Sequence, residues 1–195
     1  MTRSTVPAGP EHAPALAALF ERAGVSCHCR YWHFEGNTNA WLARCAHAEP
    51  TNQSEMQNAL ETRSDEALGV VTLDGSRALG WMKLAPAASV PKIYAQRLYA
   101  RLPCFDGPRD SMMTIGCALV DPAARRTGVA SELLSAAIAL ARRRGAAFIE
   151  AFPRRAEGLR DDEAWTGPFS LFEHAGFRVV NDFSPYPVMR LSLEP

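Results

Sequence analysis

Residues 118–134 read Ala-Leu-Val-Asp-Pro-Ala-Ala-Arg-Arg-Thr-Gly-Val-Ala-Ser-Glu-Leu-Leu, an order suited to holding an anion. An apolar run that reads as a strand ends at Leu119 and Val120. The breaker Asp121-Pro122 follows, and Arg125, Arg126 and Thr127 lead to Gly128 at the start of a helical pattern. The first N–H groups of a helix have no partner inside it and point outward, where the helix dipole adds about half a positive charge. Gly128 and Ala130 leave the backbone around Val129 uncovered, so a diphosphate can approach it closely, and the two arginines add charge-assisted donors. The sequence has neither G-x-x-x-x-G-K-[ST] nor G-x-G-x-x-G, which leaves P-loop and dinucleotide readings without support. A glycine that merely relieves a turn beside solvated arginines fits the same spacing equally well.

A second group of reactive side chains lies near the start: Cys27, His28, Cys29, Tyr31, His33, Cys45 and His47. Cys27-x-Cys29 and Cys45-x-His47 are ligand types that zinc accepts. However, one residue between paired cysteines is shorter than usual, and Cys45 and His47 diverge on a helix, so no metal is expected. With five cysteines, an odd number, and no apolar signal stretch in the first residues, the thiols read as reduced and the protein as cytoplasmic. Cys117 reads as a small core residue.

These residues need elements to position them. Leu16, Leu19, Phe20 and Ala23 share one face of a helix over residues 12–23 that ends at Gly24. Asn37 or Asn39 caps a short helix carrying Trp41, Leu42 and Cys45, which Pro50 stops; a further helix over 53–63 buries Met56, Ala59 and Leu60. Strands over 67–73 and 78–84 flank Asp74-Gly75-Ser76, a hairpin signal. Residues 85–110 hold four prolines and read as an irregular excursion with one helical turn near 93–102. A strand from Met112, a helix over 128–144 and the strand Ala-Phe-Ile-Glu-Ala-Phe then form a right-handed crossover with parallel strands. A short helix over 168–175 and strands near 177–180 and 188–193 complete a chain read as a single domain, 1–195.

The chain has 21 Lys+Arg against 21 Asp+Glu and no net charge, which argues against nucleic acid held by bulk charge; no apolar run is long enough for a membrane helix. Residues 122–144 nevertheless carry five arginines and one acid, a local balance of +4, so neutrality leaves room for one focused anion site.

Val120-x-Pro122-x-x-Arg125-x-x-Gly128-x-Ala130 resembles motif A of the GNAT N-acetyltransferases, and residues 170–180 resemble that family's late helix ending in Gly-Phe before a strand. Cys-His-Cys-Arg-Tyr-Trp is similar to a segment of a group of uncharacterised bacterial members. The resemblance covers most of residues 13–193. It implies an α/β fold with a mixed, mostly antiparallel sheet of six or seven strands, splayed at its centre and covered by helices on both faces. It further implies acetyl-coenzyme A as co-substrate, with backbone amides of Arg126, Thr127, Gly128, Val129 and Ala130 on the pyrophosphate, Arg125 beside them, and pantetheine along Leu119 and Val120. A backbone N–H near Val120 would polarise the acetyl carbonyl for direct attack by the primary amine of a small molecule or protein.

Two positions depart from the family pattern: Phe172 stands where the family carries its tyrosine acid, and Gly116 where it carries a glutamate base. Glu150, Tyr31 and His33 are therefore the expected replacements, with His28 a further proton carrier; Glu150 facing out of the sheet or pairing with Arg154 is the plain structural alternative. A non-catalytic acyl-coenzyme A sensor is the alternative for the whole protein. Oligomeric state is left open, a homodimer included.

Overall fold

The structure is a computed structural model that describes residues 3–160 and 163–193. Strand β1 (Arg3–Pro7) leads into helix α1 (Ala13–Arg22), followed by α2 (Thr38–His47) and α3 (Glu49–Glu61). The hairpin β2 (Gly69–Asp74) and β3 (Arg77–Pro86) precedes the short α4 (Pro91–Tyr94), and β4 (Met112–Val120), α5 (Val129–Arg143) and β5 (Phe148–Ala151) form the crossover. Helix α6 (Phe169–His174) and strands β6 (Arg178–Asn181) and β7 (Val188–Ser192) follow. The seven strands make one open sheet in the order β1-β2-β3-β4-β5-β7-β6, with β4 and β5 its parallel pair.

Alternation along the strands divides the core between the two faces. Val70, Met82 and Leu84 pack with Val129, Leu133 and Leu134 of α5 and Phe172 of α6, whereas Val71 and Trp81 meet Leu16, Leu19 and Phe20 of α1 and Met56 and Leu60 of α3. Helix α5 lies close to β3 because Gly80 has no side chain: a Cβ there would stand 2.7 Å from Val129 Cγ1.

Three local expectations are corrected. β1, absent from the sequence reading, pairs antiparallel with β2 from Arg3↔Asp74 to Pro7↔Val70. Pro50 opens a helix as well as closing one: it sits in the first turn of α3, where its missing N–H costs nothing. The helical turn expected near 93–102 falls at α4, and the excursion around it is packed, since Ile93 and Tyr99 are buried with Phe152 and Val188. Asn37 is the residue that caps α2, accepting from the Ala40 N–H at 2.9 Å. Among the described residues, no helix is long and apolar enough to cross a membrane.

Candidate active site

The site begins where two neighbouring strands part. β4 and β5 pair from Met112↔Phe148 to Ile115↔Ala151, and beyond Ile115 the ladder of β4 continues with β3 alone. Lys83 faces Cys117 and Leu84 faces Ile115, so Gly116 is an extra residue in β4, a bulge at the point of parting. On the exposed edge the Ala118 N–H donates to the Trp165 carbonyl at 2.7 Å, while the Asp121 N–H points the other way, to Leu79 O at 2.8 Å. The two-residue period of a strand puts the Val120 N–H on the same open edge as that of Ala118.

At the end of β4 the chain turns through a rigidly held loop. Asp121 is buried and accepts from Arg22 of α1 at 2.8 Å, Arg77 of β3 at 2.9 Å and the Ala123 N–H at 3.0 Å. Burial alone would raise this carboxyl, but those donors outweigh it and hold the pKa down at about 2. Thr127 Oγ1 donates to Ala124 O at 2.7 Å, and Arg3 of β1 donates to Thr127 O and Glu132 Oε1, both at 3.0 Å. Arg126 and Gly128 are left-handed, with φ of 60° and 90°, and both are exposed. A Cβ on Gly128 would meet nothing nearer than Glu132 Oε1 at 4.0 Å, so glycine is needed here for its backbone angle and the space before it is open. The side chain of Val129 is buried, that of Ala130 half-buried, and the outward N–H groups of the first turn of α5 face this open space. Arg125 is half-buried beside them, and Leu119 and Val120 are half-buried on the strand that leads in. This is a geometry that can take an anion.

The parted strands border a cleft of about 930 Å³. Trp32, Tyr99, Phe152, Trp165 and Tyr186 give it aromatic walls, with Gly116 and Ile115 at its floor. Trp32 Nε1 donates to the Gly116 carbonyl at 2.8 Å, and its ring lies 5.5 Å from that of Trp165. A Cβ at Gly116 would press on the Trp32 ring at 3.1 Å, which is why this strand position carries no side chain. Phe172 lies in the core on the α5 face, 5.3 Å from Phe177, and is no part of the cleft wall.

The three expected acid/base residues are not brought together at the cleft. Glu150 is wholly buried and its carboxylate is taken by Arg109, by Arg190 at 2.6 Å and by the Tyr94 hydroxyl at 2.9 Å, with Thr114 at 2.5 Å from the same hydroxyl. The pairing with Arg154 does not occur; Arg154 meets Glu163 at 2.6 Å. Tyr31 packs between Trp32 and Trp41, with Lys92 Nζ 4.3 Å from its ring centre. His33 has its Nε2 buried without a hydrogen-bond partner among the described residues and is no part of the cleft wall; burial, Lys83 and Arg30 push its pKa down to about 4. His28 is buried against Phe20 and 3.5 Å from Glu49. Among the described residues no three His, Cys, Asp or Glu side chains are arranged to hold a metal ion.

Sequence reasoning passed over Tyr99, Tyr186 and Lys83. The first two sit in irregular segments without a periodic signal. Lys83 is wholly buried on β3, its stem 3.5 Å from the Gly116 Cβ position and its Nζ donating to the Glu66 carbonyl; burial pushes its pKa down to about 8. An isolated lysine in a strand reads as exposed, and only tertiary packing makes it otherwise.

Comparison with known proteins decides what this arrangement is. Residues 34–157, more than half the chain, match the profile described as the acetyltransferase (GNAT) family. The chain belongs to the GNAT acetyltransferases. Its fold is similar to the PaiA N-acetyltransferase of Thermoplasma acidophilum in complex with coenzyme A, at 12% identity and a TM-score of 0.58 over 98% of this chain and 99% of that one. It is also similar to YncA of Salmonella typhimurium with its cofactor acetyl-CoA (15%, 0.56, 100% and 95%). A GNAT family acetyltransferase of Brucella melitensis in complex with acetyl-CoA is a third such likeness (15%, 0.53, 100% and 90%). At such identities the likeness carries the fold alone. No curated protein matches the sequence. Seven mixed strands, splayed at the centre, thus make this GNAT acetyltransferase a member by architecture as well as by profile.

Proposed function

We propose that this GNAT protein transfers the acetyl group of acetyl-coenzyme A directly to the primary amine of a small molecule with an apolar or aromatic body. The observation that carries the reading is the Ala118 N–H on the open edge of β4, already bonded to a carbonyl oxygen, with an open anion cradle at the end of the same strand. The pyrophosphate would lie on the amides of Arg126, Thr127, Gly128, Val129 and Ala130 beside the Arg125 and Arg126 side chains, and pantetheine along Leu119 and Val120. The thioester carbonyl would take the place of the Trp165 carbonyl on Ala118, where the N–H stabilises the oxyanion that forms on attack. Aromatic walls and a volume of about 930 Å³ favour a small acceptor over an extended polypeptide.

The amine attacks the thioester carbon in its neutral form, the tetrahedral oxyanion collapses, and coenzyme A leaves as a thiolate that takes a proton from a phenol, while the nitrogen made cationic by the attack returns its surplus proton to the phenolate left behind. Tyr186 is the phenol we assign to supply it. Tyr186 is half-buried on the cleft wall, whereas its neighbour Tyr99 is buried, and burial and Tyr186 push the Tyr99 phenol up to about 12. With Glu150 held by two arginines, no carboxylate base is invoked, and most of the acceleration comes from positioning.

The test is a thermal-shift titration with acetyl-coenzyme A followed by a thiol-release assay across small amines. Protection and turnover are expected, with turnover reduced in Tyr186→Phe; absence of protection overturns the reading. Protection without turnover on any amine would favour the second reading, a non-catalytic acyl-coenzyme A sensor, which rests on Phe172 being sealed in the core.

A further inference from the structure

The cradle proposed for the diphosphate has an acid at its mouth. Glu132 lies in the first turn of α5, and its Oε1, at 4.0 Å, is what a Cβ on Gly128 would meet first. The Ser131 and Glu132 N–H groups both donate to Gly128 O, at 3.0 and 3.1 Å, so the outward amides of the turn are those before them. A carboxylate in this position suits the helix, because the dipole is positive there. For an anion that uses the same amides it is a like charge at close range, where salt and water screen it incompletely.

Arg3 of β1 answers that charge. It donates from Nη1 to Glu132 Oε1 and to Thr127 O, both at 3.0 Å, with Nη2 3.5 Å from Thr127 Oγ1. Among the described residues no other cation pairs with Glu132. The guanidinium is placed from both sides: β1 is paired to β2 from Arg3↔Asp74 onward, and the Thr127 hydroxyl is anchored on Ala124 O at 2.7 Å. An arginine suits the position better than a lysine, since its planar fork spans Thr127 and Glu132 at once. With 31% of the Arg3 side chain and 41% of the Glu132 side chain exposed, the pair adds little to stability. Its effect is felt at the cradle beside it.

We propose that Arg3 is a positioning residue of the donor site: it holds the Glu132 carboxylate in a neutral pair at the edge of the cradle, so that the pyrophosphate of acetyl-coenzyme A meets the helix start without an opposing charge. Arg3 touches no reacting atom in this role and acts through Glu132. The role presupposes the donor reading of the cradle, and through it an edge strand takes part in a site built on the central one.

Calorimetric titration of the whole protein with coenzyme A at low salt tests this. Arg3→Met should bind about tenfold more weakly, and the loss should shrink to about twofold in about 0.5 M salt. Arg3→Met combined with Glu132→Gln should bind as tightly as Glu132→Gln alone, because no carboxylate is left to neutralise. A double variant that stays about tenfold weaker than Glu132→Gln overturns the proposal, since Arg3 would then act on the ligand or on the fold. So does an Arg3→Met affinity equal to that of the unmutated protein, or a loss that high salt leaves untouched. The comparison of the double variant with Glu132→Gln decides the matter even where Arg3→Met alone fails to fold. Absence of coenzyme A binding by the unmutated protein instead overturns the donor reading itself, and this role with it.

Discussion

The loop that ends β4 and the cleft beside its bulge differ in what they present. The loop offers main chain: an exposed helix start, two left-handed residues, and a buried Asp121 that keeps them in place. The cleft offers rings, gathered from five separate stretches: Trp32 near the start, Tyr99 in the excursion, Phe152 after β5, Trp165 before α6 and Tyr186 between β6 and β7. A site made of main chain depends on a few residue types at fixed spacing. A site made of side chains depends on how distant segments meet, so its specificity can change without altering the frame around it.

The largest expected effect tests whether Glu150 belongs to the frame or to the chemistry. Glu150→Gln leaves Arg109 and Arg190 facing each other without their anion, which should cost about 3–4 kcal/mol in urea unfolding. Turnover per folded molecule should stay within about twofold. A collapse of kcat at unchanged stability would return Glu150 to the chemistry.

Next comes the loop itself. Gly128→Glu combines a left-handed angle unfavourable to any side chain with a like charge in the cradle, and should weaken acetyl-coenzyme A binding about a hundredfold by calorimetry. Unchanged affinity would mean that the cradle holds something else. The cleft is expected to respond more mildly and on the other substrate: Trp32→Phe keeps a ring but loses the bond to Gly116 O, costing about 1 kcal/mol and raising the acceptor KM several-fold with the donor KM unchanged. A shift in both constants would erase the distinction between the two regions.

A further test of the loop is a pH dependence. Asp121 has a folded pKa of about 2 against an ordinary 3.8, so its contribution is complete above pH 4 and is lost as pH falls from about 4 towards 2. Asp121→Asn should flatten the stability profile over that window. A profile identical to that of the unmutated protein would show that the arginines hold the loop by other means.

What could be read in the sequence follows the same division. The crossover of β4, α5 and β5 and the cradle at Gly128 announce themselves through an apolar stripe, a Pro and a Gly. β1 does not, because Arg-Ser-Thr-Val-Pro is short and half-buried at an edge and is specified by its partner β2. Glu150 was legible as a carboxylate in a strand, but the arginines that occupy it, Arg109 and Arg190, come from a loop and from β7, and only the register of β5 with β7 brings Arg190 alongside. The same holds for Lys83, which is buried opposite Cys117 of β4.

If the thioester carbonyl docks on the Ala118 amide as proposed, the Trp165 carbonyl seated there makes donor binding an exchange instead of a gain. An incoming carbonyl evicts one already seated, so this contact adds to affinity only by the difference between two bonds, while departure of the product is assisted by the return of the occupant. Strengthening the seated contact would slow capture and hasten release, and weakening it would do the reverse. The segment that carries Trp165 would then act as a competitor held at a fixed local concentration, and changes in that segment would tune turnover without touching a reacting atom.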